Sequence, residues 1–163
     1  MPEQRQPFLR TGEIIPAFTL PGADSMPHSP WDYKQREHLV ILLVSSFSGN
    51  EASGVLKEFK RQYRRLREED CAVLAIAADT VVEHTSLQEK LQLPFPLLAD
   101  PQGEVIARYT YWDSKTHSAT PGMALADRYG ALYAQWIAEH EAELPPIEEL
   151  LKDLEYLNKL CTP

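Results

Sequence analysis

Cysteine is nearly absent. The 163 residues hold two, Cys71 and Cys161, far apart in the chain and with no CxxC pair. That spacing excludes a disulfide framework, a zinc cluster and the dithiol centre of a thioredoxin-type enzyme. In a reducing compartment both thiols are expected to be free. Positive charge is also in deficit: lysine plus arginine number 16 against 24 aspartate plus glutamate, a formal net charge of −8. Nucleic acid is therefore not an expected partner, because phosphate binding draws on a surplus of cations. Long apolar runs are missing too. The longest, Leu39–Val44 and Cys71–Ala78, fall well short of the ~20 residues that cross a bilayer. Met1–Arg10 is polar, without the apolar stretch of a secretory signal. The expectation is a soluble, cytoplasmic protein with no membrane partner. His28, His38, His84, His117 and His140 stand at no metal-ligand spacing, and no motif requires a cofactor.

What is present suffices for a core. Hydrophobic residues make up 44% and charged ones 25%, and the length suits one domain over residues 1–163. Leu39–Val44 is a continuous branched run, the signature of a strand buried on both faces. After a polar stretch, Ser45–Asn50, the residues Ala52, Val55, Leu56, Phe59, Tyr63 and Leu66 recur at spacings of three and four, one face of an amphipathic helix. Asn50 is the natural residue to cap it. Ala72–Ala78 reads as a second buried strand, followed by a helix over Val82–Leu91 and a brief extended segment over Leu93–Leu98. Asp100-Pro101-Gln102-Gly103 predicts a tight turn, and Glu104–Tyr109 a short helix. Met123–Ala126 and Ala131–Ile137 form a hairpin around Asp127-Arg128-Tyr129-Gly130. Pro145-Pro146 opens a last helix with the stripe Ile147, Leu150, Leu151, Leu154, Leu157 and Cys161. Early parallel units followed by an antiparallel pair give an α/β fold with a mixed central β-sheet flanked by helices.

Several stretches resemble one family. Gly12-Glu13-Ile14-Ile15-Pro16-Ala17-Phe18-Thr19-Leu20 looks like the opening G-x-x-x-P-x-F-x-L of peroxiredoxins, the alkyl hydroperoxide reductase/thiol-specific antioxidant group. Phe59 to Asp79 has that family's rhythm from helix to strand. The run from Leu93 to Val105, LPFPLLADPQGEV, resembles its LPFPLLSDPDGEV, and Asp127–Gly130 matches its D-x-x-G turn. The resemblance spans roughly residues 12 to 137. It implies a thioredoxin-like fold with a peroxiredoxin-type N-terminal extension and an active site at the first long helix.

The chemistry the resemblance implies needs a thiolate that attacks a peroxide and becomes a sulfenic acid. In the family this cysteine stands in P-x-x-x-T-x-x-C. Counted back from Phe59, the cysteine position falls on Ala52, the threonine on Gly49 and the proline on Ser45; a one-residue shift substitutes Glu51 or Ser53. None carries sulfur. The family's arginine before the D-x-x-G turn falls on Pro121, within Thr120-Pro121-Gly122, which resembles the cis-proline of thioredoxins. The candidate site is thus a pocket of Ser48, Gly49, Ala52, Ser53 and Pro121, with Cys71 and Cys161 as alternative thiols. Cys71 starts a buried strand and reads as a small core residue; Cys161 reads as tail packing or as an exposed, resolving-type thiol. A disulfide between them is geometrically open.

Other features have plain readings. The serines before the helix offer an anion site or a simple cap, and no motif supports a serine nucleophile. Lys57–Arg67 is a solvated basic face balanced by Glu58, Glu68 and Glu69, or a dock for an acidic partner. Tyr109, Tyr111 and Trp112 serve core packing or a dimer contact. Three functions follow. The first is a peroxiredoxin-like, non-catalytic binding or regulatory module. The second is a thiol oxidoreductase working through Cys161 or Cys71 with a protein partner or thiol reductant. The third is a structural homodimer subunit.

Overall fold

The computed structural model describes residues 9–47 and 49–160. In chain order the strands are β1 (Leu20–Pro21), β2 (Pro27–His28), β3 (His38–Leu43), β4 (Cys71–Ala77), β5 (Leu97–Ala99), β6 (Trp112–Asp113), β7 (Ser118–Ala119), β8 (Gly122–Ala126) and β9 (Leu132–Ile137). The helices are α1 (Asn50–Glu68), α2 (Val81–Leu91), α3 (Ile106–Tyr109) and α4 (Ile147–Leu160), with single 3-10 turns at Pro30–Asp32 and Glu141–Glu143. Five strands form the central sheet in the order β5-β4-β3-β8-β9. β3, β4 and β5 run parallel, and β8 and β9 close the sheet antiparallel.

The apolar runs explain this placement. Every residue of β3 and β4 is buried. Val40 and Leu42 join Leu56, Phe59 and Leu154 on one face, while Leu39, Ile41 and Leu43 join Phe18, Ile106 and Tyr109 on the other. A strand alternates its side chains across the sheet, so a run apolar at every position demands cover on both sides. On α1, Ala52, Leu56, Phe59 and Leu66 are buried, as the spacing predicts.

Some local expectations need correction. The helix cap is Gly49, in an extended conformation and with no side-chain hydrogen bond, and Asn50 is already helical. Of Leu93–Leu98, only the end joins the strand Leu97–Ala99; Leu93 and Phe95 are instead buried anchors. The hairpin of β1 and β2 was not predicted, because two-residue strands carry no periodicity. It lies along the outer edge of β5, where the Ala23 amide donates to the Leu97 carbonyl at 2.9 Å. Tyr109 turns out to be core: its ring meets Phe18 edge-on, and its hydroxyl donates to the Pro16 carbonyl at 2.6 Å. Trp112 lies so close over Gly103 (φ +69°) that a Cβ there would sit 2.1 Å from the indole, so the turn admits only glycine.

The last helix is pinned near its end by one amide. Asn158 Oδ1 lies 2.7 Å from His38 Nε2 and accepts from Arg128 at 3.0 Å, while Nδ2 donates to the Glu69 carbonyl at 3.0 Å and to its carboxylate at 2.8 Å.

Gly54 stands within α1 on its exposed side, and a Cβ there would meet nothing within 4 Å. Removing its excess unfolded-state freedom costs no contact. Gly54→Ala is expected to raise unfolding stability by about 0.5–1 kcal/mol, measured by urea denaturation.

Candidate functional site

The residues that converge here come from four elements. β3 ends at Leu43 and its chain runs through Ser45, Ser46 and Phe47 into α1. Leu43 faces Gly122 across the β3–β8 ladder, which brings Pro121 beside that loop. β4 ends two residues before Asp79, and the turn Glu141–Glu143 packs against α1. Strands that end together at one edge of a sheet, facing a helix start, place loop residues from distant sequence in one neighbourhood.

Two carboxylates hold the loop. Glu141, buried despite its charge, accepts from the Ser45 amide at 3.1 Å and from its hydroxyl at 2.6 Å. Asp79 accepts from the Ser46 hydroxyl at 3.1 Å and from the Phe47 amide at 2.8 Å. Burial works to raise the Glu141 carboxyl, and the hydrogen bonds from Ser45 overcome it, holding it below the ordinary carboxylate range. Phe47 is itself buried, and its ring meets that of His84 edge-on at 4.4 Å. His84, in the first turns of α2, is fully buried, and neither ring nitrogen finds a hydrogen-bond partner among the described residues. Burial lowers its pKa to about 4, against the opposing pull of Asp79, so the ring is neutral at pH 7.

Ala52 lies in the first turns of α1, 1% exposed, its methyl packed in the core. Ser53 is half-buried, its amide donating to the Gly49 carbonyl at 2.9 Å as an ordinary helical bond. Pro121 is buried and its carbonyl accepts from the Ala138 amide at 3.0 Å. Among the described residues no peptide bond is cis, so the likeness of Pro121 to a cis-proline does not hold. Gly49, Ala52 and Ser53 stand at the start of α1, and Pro121 precedes Gly122, the β8 residue opposite the end of β3; Ser48 and Cys161 lie outside the described residues. Cys71 is far from it. It pairs with His38 at the opposite end of the parallel ladder, is fully buried, and burial pushes its thiol up to about 12. A thiol in that state is inert.

Sequence reasoning missed Glu141, Asp79 and His84. The loop serines are visible in the sequence, but the carboxylates that claim them stand 96 and 33 positions away. With its hydroxyl proton committed to Glu141, the Ser45 oxygen keeps lone pairs that can accept. Negative charge beside the start of α1 favours a cation or a hydrogen-bond donor and opposes an anionic sulfur. A shallow surface depression lined by Trp31, Lys34, Glu37 and Asp127 lies at the other end of the sheet.

Two outcomes test these assignments. Protonating His84 is disfavoured only in the folded state, so the unfolded chain binds the extra proton as pH falls from about 6.5 to about 4. Stability is therefore full above about 6.5 and declines through that window, by up to about 3 kcal/mol. In His84→Leu the decline over that range should be shallower than in the native protein by denaturant titration at each pH; parallel curves overturn the assignment. Glu141→Ala leaves the Ser45 donors unpaired and is expected to cost about 1–3 kcal/mol, and Glu141→Gln, which keeps an acceptor, less.

Comparison with known proteins gives one consistent result. The model described as the AhpC/TSA family matches residues 11–135. Over 103 residues the chain is 29% identical to the peroxiredoxin bcp1 of Schizosaccharomyces pombe, a match covering 61% of this chain and 51% of that protein. It is 32% identical over 104 residues to the putative peroxiredoxin bcp of Coxiella burnetii, covering 62% of this chain and 66% of the other. The chain thus spans about half the length of the first relative and about two thirds of the second. Among solved structures it is similar to the peroxidoxin BcpB of Mycobacterium tuberculosis, with a TM-score of 0.80 at 16% identity over 94% of this chain and 99% of that one. At that identity the likeness speaks for the fold, which is thioredoxin-like, with the segment ahead of β3 packed against the sheet.

Proposed function

The chain belongs to the AhpC/TSA family, and from that membership we infer that it is a peroxiredoxin-like protein whose site at the start of α1 binds a ligand or partner without reducing it. The observation that carries this reading is Ala52: the position reached by counting back from Phe59 with the family's spacing holds a buried methyl group. Two further features support it. Carboxylates of Asp79 and Glu141 stand by the loop, and by spacing Pro121 falls where the resemblance implies the arginine that lowers a thiol pKa. The one described cysteine, Cys71, is buried and its thiol strongly protonated. On this reading the surroundings of Gly49, Ala52, Ser53 and Pro121 are kept as a shape, with Ser45 as an acceptor for a donor-bearing group.

The second reading is thiol chemistry at Cys161, favoured by the relatives' names as peroxiredoxins. There the sulfur takes one peroxide oxygen as sulfenic acid, the other leaves as water, and a thiol reductant restores the thiol.

Intact mass after brief exposure to a small excess of hydrogen peroxide separates the two. The binding reading expects no rapid oxygen addition in the native protein, in Cys71→Ser or in Cys161→Ser. A rapid gain of one oxygen, or a disulfide, that vanishes in Cys161→Ser overturns it and names the thiol.

A further inference from the structure

Cations are concentrated on one helix of an acidic chain. Between Lys57 and Arg67, α1 carries six cations and one acid, while the whole chain has a net charge of −8. Helical spacing sets Lys57, Arg61, Arg64 and Arg65 opposite the buried stripe of Leu56, Phe59 and Leu66, with Lys60 turned toward α2, and all five are exposed. Like charges therefore meet at spacings of three and four in Lys57–Lys60, Lys57–Arg61, Lys60–Arg64, Arg61–Arg64 and Arg61–Arg65. Pairs of this kind destabilise the helix that carries them. This face of α1 thus works against the stability of its own helix, although the chain has 24 acids from which opposite-charge pairs could be made.

The chain's own acids answer only part of this charge. Arg67 pairs with Glu37. Arg61 meets Glu58 at 2.8 Å, and Glu148 of α4 lies within its electrostatic reach, so the cation nearest α4 is neutralised. Arg64 meets Glu68 at 3.4 Å with both side chains mostly exposed, a contact that solvent screens. Lys60 donates to the Leu91 carbonyl at the end of α2 at 2.8 Å, and Arg65 to the Gln62 side chain at 3.2 Å. Both bonds leave the cation's charge in place. Lys57, and the exposed Lys90 beside Leu91, have no acid within ion-pair distance among the described residues. A basic strip remains on the outer and α2 sides of the helix: Lys57, Lys60, Arg64 and Arg65, with Lys90 at its border.

We propose that this strip docks a short acidic segment of a partner protein, whose carboxylates complete the ion pairs that α1 leaves open. The span sets the size of the contact. Lys57 and Arg65 stand about 12 Å apart along the helix axis, a distance that an extended segment of about four residues covers at about 3.3 Å each. Complementary charge supplies the recognition. The net charge of −8 keeps the contact short, because a long polyanion is repelled wherever it runs beyond the strip. Nucleic acid fits worse for a second reason: both aromatics of α1, Phe59 and Tyr63, pack against Phe95, so the strip offers no ring on which bases could stack. The strip is separate from the loop Ser45–Phe47, and the proposal holds whether or not that loop binds a ligand.

Fluorescence anisotropy of a labelled hexaglutamate peptide tests this, with a labelled hexathymidylate of similar charge in parallel. In about 50 mM salt the native chain should bind the peptide saturably with a Kd below about 500 µM, and in about 500 mM salt at least about tenfold more weakly, because screening acts on exposed charges. Lys57→Glu/Arg64→Glu should weaken the peptide by about tenfold or more. Its urea midpoint should rise, since each substitution turns like-charge spacings into opposite-charge ones. Arg10→Glu/Lys115→Glu makes the same change in net charge away from α1 and should bind as the native chain does. Absence of saturable binding by the native chain overturns the proposal, and so does an equal loss in the two double variants. A Lys57→Glu/Arg64→Glu protein that is more stable and still binds places the contact elsewhere and overturns it as well. Tighter binding of the thymidylate than of the peptide overturns it in favour of nucleic acid.

Discussion

Two-sided burial of the parallel pair β3–β4 is the constraint on which the rest of the structure depends. Neither strand has a residue it can show to water, so each face needs a cover of its own. α1 and α4 supply one cover. The N-terminal segment, α3 and Tyr109 supply the other, with Ile15 and Phe18 drawn into the same cluster as Leu39, Ile41 and Leu74. The antiparallel strands β8 and β9 extend the sheet, while the hairpin of β1 and β2 lines its far edge and leaves β5 no free flank. The position of the site follows from the same constraint. A parallel strand covered by a helix on its face must turn sharply at its end, and that turn is where Ser45, Ser46 and Phe47 lie.

At that turn the molecule uses charge to fix conformation. The family's reaction, as the resemblance describes it, needs a cationic surrounding that draws a proton off sulfur. Here carboxylates from two separate segments take up the loop's donors, and the helix start is packed with a methyl group. Glu141 illustrates the trade: burying a carboxylate is costly, and it is tolerated because an amide and a hydroxyl of the same residue, Ser45, both bond to it.

The parts of the fold legible in the sequence were those whose pattern is local. Leu39–Val44 and Ala72–Ala78 announced two-sided strands, and the three-and-four spacing from Ala52 to Leu66 announced α1 within two residues at each end. The turn before Gly103 was legible because only that residue type tolerates its backbone. For the candidate site the sequence offers positions and no environment. Ala52 and Pro121 could be placed by counting, whereas Asp79 and Glu141 reach the loop through tertiary packing that no spacing encodes. His84 was one histidine among five. Its burial follows from which side of α2 meets Phe47, and the weakly patterned sequence VVEHTSLQEKL does not declare a side. The helix cap was misplaced for a related reason: Asn50 has the right side chain, but Gly49 occupies the extended position where the chain enters the helix.

Asn158 has a mechanical consequence. One amide near the end of α4 bridges the first residue of β3, the β8–β9 turn and the last turn region of α1. A C-terminal helix ordinarily frays from its free end, opening at little cost. Here the last turn lets go only if contacts to three other segments break with it. The amide protons of α4 should accordingly exchange with solvent together with those of β3, as one cooperative unit and not as a peripheral helix.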